Sequence, residues 1–484
     1  MEWPLDKALV SVDLGAQSCR VALLRVLSGR PEIGIVHRFP NGPVFSAGGL
    51  RWQIRRIFEG VTAGLRMCAS AAPEGIASIA VDGWGVDYVR LDRAGELLAD
   101  PFCHRDERAE RAMRALVRRI TPERLYALTG IQLLALNTLF QLYADNLAGV
   151  DPEARWLNLP EYITYRLGGE AVSEYTNATH TQLVGLGTRE WCDEIFREAG
   201  LAKGAAPRIV PPGTAVGRPA GELGRLRAFA GAALVVPACH DTASALAGIP
   251  ASGDDWAFIS SGTWSLVGTL LRTPCVSDEA RRMNFTNLGG VGGVICFLKN
   301  VNGMWLLGQC MEAWEKAGLG GSLQELLESC ERLPPPRALI EVDESPLLVP
   351  GDMPAKITAQ LRSAGAAPPA GGYGPAETAN LILHSLAKRY AEVLESVARI
   401  TGKRLKRLFI VGGGSRNALL NRLTAERTGL EVTRGSAESA TIGNFAVQMA
   451  ALEAGAGNAR GAGAARVAHH TEFLSAHCRS FAGG

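Results

Sequence analysis

The stretch ALVSVDLGAQSCRVALLRVL (8–27), near the N-terminus, indicates how the fold begins. Ala8–Val12 and Arg20–Leu27 are apolar and strand-like, and the small residues between them, at 13–18, predict a tight turn. A third strand is predicted at Ile33–Arg38. We therefore expect the chain to open with a hairpin followed by another strand.

A similar hairpin is predicted about 250 residues later. Trp256–Ile259 and Trp264–Leu271 are strand-like, and the small-residue turn SSGT (260–263) joins them. Such spacing suggests a duplicated domain rather than a solenoid, whose repeats run about 20–50 residues.

The chain length requires more than one domain, because 484 residues are too many for one compact core. Glycine, proline and serine cluster at residues 246–254, just before the second hairpin. We therefore predict one domain at 1–248 and a second at 249–484.

Strands and helices alternate in both halves. The predicted strands include Ile76–Val81, Leu234–Pro237, Leu408–Val411 and Leu430–Thr433, and the predicted helices include Asp106–Arg119, Pro160–Arg166, Glu377–Ile400, Asn417–Thr428 and Ser439–Ala454. The apolar residues of Glu377–Ile400 recur at helical spacing on one face. This alternation predicts an α/β fold.

The composition is that of an ordinary globular protein, with 47% hydrophobic and 20% charged residues. A net charge of +2 gives no electrostatic reason to expect nucleic acid or membrane as a partner. Charged residues near the N-terminus argue against a secretory signal, and no apolar run approaches the roughly 18 residues of a membrane span. The ten cysteines form no C-x-x-C pair, so neither zinc nor disulfides are indicated and a reducing, cytoplasmic location is expected.

The turn of the first hairpin is a candidate phosphate and metal site. Free backbone N–H groups in a turn of small residues can close over phosphate oxygens. Asp13 can hold a Mg²⁺ ion through water, because magnesium retains much of its hydration shell. Taken alone, Asp13-x-Gly15 fits a plain turn in which the aspartate caps its own backbone at least as well.

Two further turns carry small residues suited to a nucleotide. Ser261-Gly262-Thr263 in the second hairpin offers a hydroxyl and free N–H groups. Gly412-Gly413-Gly414 lies between a buried strand and a helix, where glycines allow a ligand to approach closely. Neither matches the phosphate loop G-x-x-x-x-G-K-[ST] or a dinucleotide fingerprint. A plain hairpin turn and a helix-packing glycine turn are the alternatives.

His240-Asp241-Thr242 follows a buried strand and is the candidate catalytic group. A carboxylate there can accept a hydroxyl proton as a phosphoryl group arrives, which contributes about 10²–10⁴-fold in rate. Alternatively, Asp241 caps a helix starting at Ala243, and His240 is a structural histidine.

Trp84-Gly85-Val86-Asp87 ends another strand. Gly85 lacks a side chain where a ligand could approach the backbone, and Trp84 offers an apolar wall. A strand-end turn with a packed tryptophan is the alternative.

Seven segments spanning nearly the whole chain, in order, resemble the FGGY family of carbohydrate kinases, which belongs to the actin-like ATPase superfamily. They are VDLGAQSCRV (12–21), VDGWGVDYVRLD (81–92), EYTNATHTQLV (174–184), CHDTASALAG (239–248), SSGTWSLVG (260–268), LKNVNGMWLL (298–307) and VGGGSRNALLNRLTAERTG (411–429). The resemblance implies a two-lobed actin-like (ribonuclease H-like) fold with a central cleft, a sugar-binding lobe at 1–248 and a nucleotide-binding lobe at 249–484. It also implies transfer of the ATP γ-phosphoryl group to the 1-hydroxyl of L-rhamnulose with Mg²⁺.

The resemblance implies a role for each matching site residue. Asp241 would be the general base, and Asp13 would lie near the metal. The nucleotide would be bound by Ala16, Gln17, Ser18, Cys19, Arg20, Thr263, Gly412 and Gly413. The sugar would be bound by Gly85, His240, Asp241, Thr242 and Asn300. The expected partners are therefore only the sugar and ATP, with the protein a monomer or small homo-oligomer.

Three residues depart from the family pattern. Gln17 and Cys19 replace a serine and a glycine, and Cys19 is expected to add a side chain where backbone approaches phosphate. Gly308 stands where the family tends to have glutamine, with Gln309 one place on, so one nucleotide contact is expected to be lost or shifted. Two alternatives stay open: a kinase for L-fuculose or another ketose or deoxy sugar, and a non-catalytic actin-like protein that binds sugar or nucleotide.

Overall fold

The computed structural model describes residues 6–27, 30–366, 372–455 and 462–478. Its strands are β1 (Ala8–Leu14), β2 (Ser18–Leu27), β3 (Arg30–Pro40), β4 (Val44–Ser46), β5 (Gly49–Arg51), β6 (Ile76–Gly83), β7 (Tyr88–Leu91), β8 (Arg155–Asn158), β9 (Val172–Glu174), β10 (Arg208–Val210), β11 (Thr214–Gly217), β12 (Ala233–Val236), β13 (Trp256–Ser261), β14 (Trp264–Leu271), β15 (Thr286–Gly289), β16 (Ile295–Asn302), β17 (Arg407–Val411) and β18 (Glu431–Arg434). Its α-helices are α1 (Ile54–Ala71), α2 (Arg108–Leu116), α3 (Pro122–Thr129), α4 (Thr138–Leu147), α5 (Leu159–Arg166), α6 (Tyr175–His180), α7 (Asp193–Ala199), α8 (Gly221–Gly224), α9 (Asp241–Ala247), α10 (Asp278–Arg282), α11 (Trp305–Lys316), α12 (Leu323–Glu331), α13 (Met353–Ser363), α14 (Pro375–Thr401), α15 (Ala418–Thr428), α16 (Ser439–Ala454) and α17 (Ala464–His477).

The chain divides into two compact units. Unit 1 comprises Met1–Ala251, Leu271–Phe297 and Ser439–Gly484, and unit 2 comprises Ser252–Leu270 and Leu298–Glu438. The chain first crosses from unit 1 to unit 2 between Ala251 and Ser252, within the boundary predicted at 246–254. The chain returns to unit 1 twice, so α16 and α17 belong to unit 1. The assignment of sugar binding to 1–248 and nucleotide binding to 249–484 stays a prediction.

Unit 1 is organised around a six-stranded sheet with the order β11-β12-β6-β1-β2-β3. β1 pairs antiparallel with β2 and parallel with β6, so the predicted hairpin is confirmed. Every residue of β1 is buried, which explains why its sequence is almost continuously apolar. Val10 packs in one core cluster with Val61 of α1, whereas Leu9 packs in another with Phe445 of α16. The side chains of successive residues in β1 thus point to opposite faces of the sheet.

Most of the second sheet lies in unit 2, and in it β16, β14, β13, β17 and β18 follow one another. β13 pairs antiparallel with β14 and parallel with β17, which pairs parallel with β18. This order matches β3-β2-β1-β6-β12 in unit 1. The predicted α/β fold with a duplicated hairpin is therefore confirmed. The helix predicted at Glu377–Ile400 is α14, one residue longer at its C-terminus and two at its N-terminus.

Other predictions differ in detail from the structure. The helix predicted at Asp106–Arg119 is shorter, because Asp106 accepts the backbone N–H groups of Arg108 and Leu50 from outside α2. All ten cysteines are free thiols. None of the helices in the described residues has the length and apolar character that crossing a bilayer requires.

Candidate active site

Asp241 lies in unit 1, where β12 leads through a short turn into α9. His240 occupies the N-cap position of α9 without a side-chain cap, and Asp241 is the first helical residue. The alternative that Asp241 caps a helix starting at Ala243 is therefore wrong. The Asp241 side chain is 38% exposed, so a substrate can reach it.

The surroundings of Asp241 tune its proton affinity. Desolvation by the surrounding protein atoms raises the pKa of Asp241 to about 6, while hydrogen bonds from Thr242 and the charge of Arg20 oppose this. The backbone N–H of Thr242 lies 2.5 Å from Asp241 Oδ1, and its hydroxyl lies 3.2 Å from the same oxygen. Thr242 thus fixes one carboxylate oxygen and leaves Oδ2 for a ligand. A pKa near 6 suits a base that works near neutral pH.

His240 is buried beside the carboxylate, with Nε2 3.5 Å from Asp241 Oδ1. Burial lowers the pKa of His240 to about 4, so the ring is neutral at pH 7. A neutral imidazole can both donate and accept a hydrogen bond, as a sugar hydroxyl can.

Gly85 follows β6, and the end of this strand meets the end of β12 because Gly83 forms a β-bridge with His240. A Cβ atom added to Gly85 would collide with the ring of His180, the last residue of α6, whose Cε1 it would approach to 3.0 Å. The space that the glycine leaves is therefore filled by an imidazole. Val86, the next residue, has φ +70°, a strained conformation for a β-branched residue.

The Asp87 side chain holds this turn through contacts with three ring N–H or N groups. Its Oδ2 accepts the indole N–H of Trp52 at 2.7 Å and that of Trp84 at 2.9 Å, and it lies 2.8 Å from His104 Nδ1. Asp87, Cys103 and His104 are the one group of three or more close metal-ligand side chains among the described residues. Their chemistry does not favour a metal, because the carboxylate oxygen already has these partners and burial raises the pKa of the Cys103 thiol.

The first hairpin brings Asp13 and Arg20 together as direct cross-strand neighbours. Arg20 Nε lies 3.3 Å from Asp13 Oδ2, and Asp13 is buried. The side-chain amide of Asn41 donates to Gly15 O at 2.9 Å, and its backbone N–H donates to Gln17 O at 2.9 Å. These bonds hold the turn that contains the predicted phosphate-binding residues.

Cys19 does not lie on the face where it was expected. It is fully buried in the core, and its thiol lies 3.7 Å from Gly15 O. The expectation that Cys19 obstructs the approach to phosphate is therefore wrong. Strand alternation explains this, because Ser18 and Arg20 face one side of β2 and Cys19 the other. Ala16 and Ser18 are half-buried and Gln17 is exposed.

The residues beside Asp13 fit a magnesium ion. Asp82 of β6 is the direct parallel neighbour of Asp13, so two carboxylates meet at the carboxyl ends of adjacent strands. Burial and the nearby Asp13 charge raise the pKa of Asp82, while Asn444 donates to its Oδ2 at 3.0 Å. Carboxylate oxygens are the ligands that Mg²⁺ prefers, and a cation would offset the repulsion between the two groups.

Unit 2 brings the second hairpin against the glycine turn. Gly412 has φ +82°, and a Cβ there would lie 2.7 Å from Ser261 O. A Cβ on Gly414 would collide with the Ser261 hydroxyl and lie 2.7 Å from Ser261 Cβ. Gly413, by contrast, is exposed and has open space around it. The outer glycines therefore allow the close approach of Ser261, and the middle one leaves its backbone accessible. Thr263, in the turn after Ser261, is half-buried.

The remaining predicted residues of unit 2 follow β14. Asn300 lies in β16 and is half-buried. Gly303 approaches the hairpin turn so closely that a Cβ would lie 2.8 Å from both Gly262 O and Thr263 O. Gly308 is exposed in the first turns of α11, with nothing nearby, while the side chain of Gln309 donates to Glu312.

The predicted site residues thus form one group in each unit. Unit 1 holds the hairpin group, Asp13 and Ala16 to Arg20, and the strand-end group, Gly85 and His240 to Thr242. Unit 2 holds Thr263, Gly412 and Gly413 in one group, with Asn300 elsewhere on its sheet. Sequence reasoning assigned no role to His180, Asp87, His104 or Asp82. Three of these, His180, Asp87 and Asp82, lie in quoted motifs, and that was the available signal.

Comparison with known protein families covers nearly the whole chain. Residues 8–248 match the N-terminal domain of the FGGY family of carbohydrate kinases, and residues 257–452 match its C-terminal domain. The chain is 36% identical over 479 residues to a rhamnulokinase from Enterococcus faecalis, covering 96% of this chain and 93% of the relative. It is also 36% identical over 443 residues to a rhamnulokinase from Bacteroides thetaiotaomicron, covering 90% and 89%.

Solved structures resemble the fold over a similar extent. A ligand-bound xylulose kinase from Lactobacillus acidophilus matches with a TM-score of 0.76 at 16% identity, covering 97% of both chains. A glycerol kinase from Plasmodium falciparum with ADP matches with a TM-score of 0.71 at 14% identity, covering 96% of this chain and 92% of that chain. At these identities the resemblance concerns the fold alone.

Proposed function

Because the chain belongs to the FGGY family of carbohydrate kinases, we propose that it transfers the γ-phosphoryl group of ATP to the 1-hydroxyl of L-rhamnulose, giving L-rhamnulose 1-phosphate and ADP. The choice of sugar is supported by relatives named rhamnulokinase, 36% identical over at least 90% of this chain. The observation that carries the chemistry is Asp241, a reachable carboxylate with a pKa of about 6 at the start of α9.

Asp241 acts as the general base in this proposal. Its Oδ1 is held by Thr242, and Oδ2 accepts the proton of the 1-hydroxyl as that oxygen forms its bond to the phosphorus of the γ-phosphoryl group. The bond between this phosphorus and the β–γ bridging oxygen breaks, and ADP leaves with the electron pair. His240 and the turn at Gly85 hold the rest of the sugar.

The nucleotide and metal roles rest on the two hairpins. Backbone N–H groups at 16–20, with Thr263, Gly412 and Gly413, contact the phosphates and nucleotide, and Arg20 adds a positive charge. Asp13, with Asp82 beside it, would hold Mg²⁺, which when bound neutralises charge on the phosphate oxygens. Asn300 is assigned to the sugar. A cytoplasmic location and a monomer or small homo-oligomer stay predictions.

The test is ADP release from the purified protein with Mg-ATP and each of L-rhamnulose, L-fuculose, D-xylulose, L-ribulose and glycerol, against no sugar. We expect L-rhamnulose to give the highest kcat/KM, and ³¹P–¹³C coupling in the product to identify C1 as the phosphorylated carbon. A preference for another sugar would overturn the substrate, and phosphate on another carbon would overturn the position of transfer.

Two alternatives are separated by the same assay. L-Fuculose differs from L-rhamnulose only in configuration at C4, so a single hydrogen bond can separate the two sugars. A non-catalytic protein would bind sugar or ATP but release no ADP. Cys19 was the feature favouring that reading, and the burial of its side chain in the core removes this support.

The pH dependence of turnover follows from Asp241. A base must be unprotonated to accept a proton, so kcat/KM for the sugar should be flat above pH 7 and fall about tenfold per unit below pH 6. His240, with a pKa of about 4, stays neutral through this range and adds no step near 6.5. The measurement is sugar-dependent ADP release at saturating Mg-ATP between pH 5 and 9.

The control for this profile is Asp241→Glu, because ATP itself also titrates near pH 6. A step that belongs to the base moves when the carboxylate is changed. A step that stayed at the same pH in this variant would assign it to ATP and contradict the prediction.

A further inference from the structure

His180 occupies a distinctive place in unit 1. It is the last residue of α6, and its ring lies against Gly85 on one side and against the ring of His240 on another. The His180 and His240 ring centroids are 4.4 Å apart. His240 therefore contacts both His180 and Asp241, and its Nε2 lies 3.5 Å from Asp241 Oδ1.

The two nitrogens of His180 differ in their surroundings. Nδ1 is buried and has no hydrogen-bond partner among the described residues. His180 as a whole is half-buried, and Nε2 is not among the buried atoms that lack a partner in the described residues, so Nε2 is the ring nitrogen that reaches solvent. A ligand that contacts this ring can therefore meet Nε2 and not Nδ1.

The contact with Gly85 selects the tautomer. A Cβ on Gly85 would fall directly against Nδ1, so a hydrogen of this glycine already points there. A proton on Nδ1 would compete for that space and would find no acceptor among the described residues, which favours the tautomer with its proton on Nε2. Burial lowers the pKa of His180, and the nearby His240 and His104 lower it further, while Asp87 opposes them. The ring is thus a neutral hydrogen-bond donor at pH 7.

We propose that His180 is a specificity-determining residue whose Nε2–H donates a hydrogen bond to a non-reacting hydroxyl of the bound sugar. The inference rests on the proposed sugar kinase function and adds a residue to its sugar site. It also gives Gly85 a definite task, since only a residue without a side chain admits the ring in this orientation.

Two substitutions of His180 distinguish the contribution of Nε2 from that of Nδ1. In His180→Gln the amide reaches the position of Nε2 and can donate there, whereas in His180→Asn it reaches only the position of Nδ1. By titration calorimetry without ATP, the Kd for L-rhamnulose should rise about tenfold in His180→Asn, the upper range for one neutral hydrogen bond. It should change less than about threefold in His180→Gln, and the KM for ATP should not change in either.

Deoxy sugars and a matched histidine provide the controls. The 3-deoxy or 4-deoxy analogue that lacks the contacted hydroxyl should bind wild type and His180→Asn equally. His384 in α14 also has a buried Nδ1 without a partner among the described residues, so His384→Asn should leave the sugar Kd unchanged. If both analogues lose the same affinity in wild type and His180→Asn, or if Asn and Gln weaken binding equally, the proposal is overturned.

A measurement on the wild type covers the case in which a variant does not fold. With ¹⁵N-histidine labelling, L-rhamnulose should shift the Nε2 signal of His180 more than those of the histidines remote from the site. An unshifted His180 signal on saturation would contradict the hydrogen bond. If the wild-type protein phosphorylates another sugar, the calorimetry and the NMR measurement are made with that sugar instead of L-rhamnulose. A wild type that phosphorylates none refutes the proposed function itself.

Discussion

Asp241→Asn is expected to lower kcat by about 10²–10⁴-fold, while the Kd values for ATP and for the sugar change little. Asparagine keeps the shape of the side chain and an oxygen that can accept from Thr242, so the start of α9 stays intact. It removes only the ability to take the hydroxyl proton, which matters as the bond to phosphorus forms. The measurement combines sugar-dependent ADP release with calorimetric titration of each substrate.

Asp193→Asn is the matched control for this substitution. Asp193 is also the first residue of a seven-residue helix in unit 1, but its side chain is 79% exposed and pairs with Lys203. Exposed pairs contribute little, so activity and stability should remain near those of the wild type. Near-normal turnover in Asp241→Asn would remove Asp241 from the role of general base.

Gly443→Ala is expected to lower both stability and turnover, because α9 and α16 touch through their backbones. A Cβ on Gly443 would collide with Ser244 O and lie 2.8 Å from Gly248 N, and a Cβ on Gly248 would collide with Ser439 O. Backbone atoms cannot rotate away, so α9 must shift. We expect a loss of about 3 kcal/mol in the free energy of unfolding, measured by denaturant titration. Since α9 begins at Asp241, kcat should fall as well.

Gly308→Ala is the matched control, since it too is a glycine inside a helix. Nothing lies near a Cβ at this position in α11, so alanine should stabilise the protein by about 0.5–1 kcal/mol through its higher helix propensity. If the free energy of unfolding falls in Gly443→Ala and rises in Gly308→Ala, the loss at Gly443 is due to the contact between α9 and α16. Equal changes in the same direction would contradict this explanation.

The fold was predictable because its signals are local. The two hairpins, the alternation of strands with helices and the helix Ser439–Ala454 can all be read from short windows of sequence. The position of Asp241 shortly after a buried apolar strand was predictable for the same reason. The inward orientation of Cys19 could also have been predicted, because it alternates with Arg20 along β2.

The contacts that shape the site were not predictable in this way. Nothing near His180 in the sequence indicates that its ring fills the space at Gly85, because the two residues come from different elements. The anchoring of Asp87 by two indoles depends likewise on where Trp52 is brought by the fold. The return of α16 to unit 1 has no local signal either, since a helix buried on nearly all sides gives no preferred face.

The placement of α16 in unit 1 has a consequence for synthesis on the ribosome. The side-chain amide of Gln448 donates to Val10 O across 438 residues of sequence, and Ser78 donates to Gln448 Oε1. At 5–20 residues per second, translation needs about 20–90 s to pass from one partner to the other. For that time, the nascent sheet holds Leu9 and its neighbours without the helix that later covers them. β1 thus leaves the ribosome well before the helix that covers it, and the nascent chain presents an apolar surface of the kind that chaperones bind.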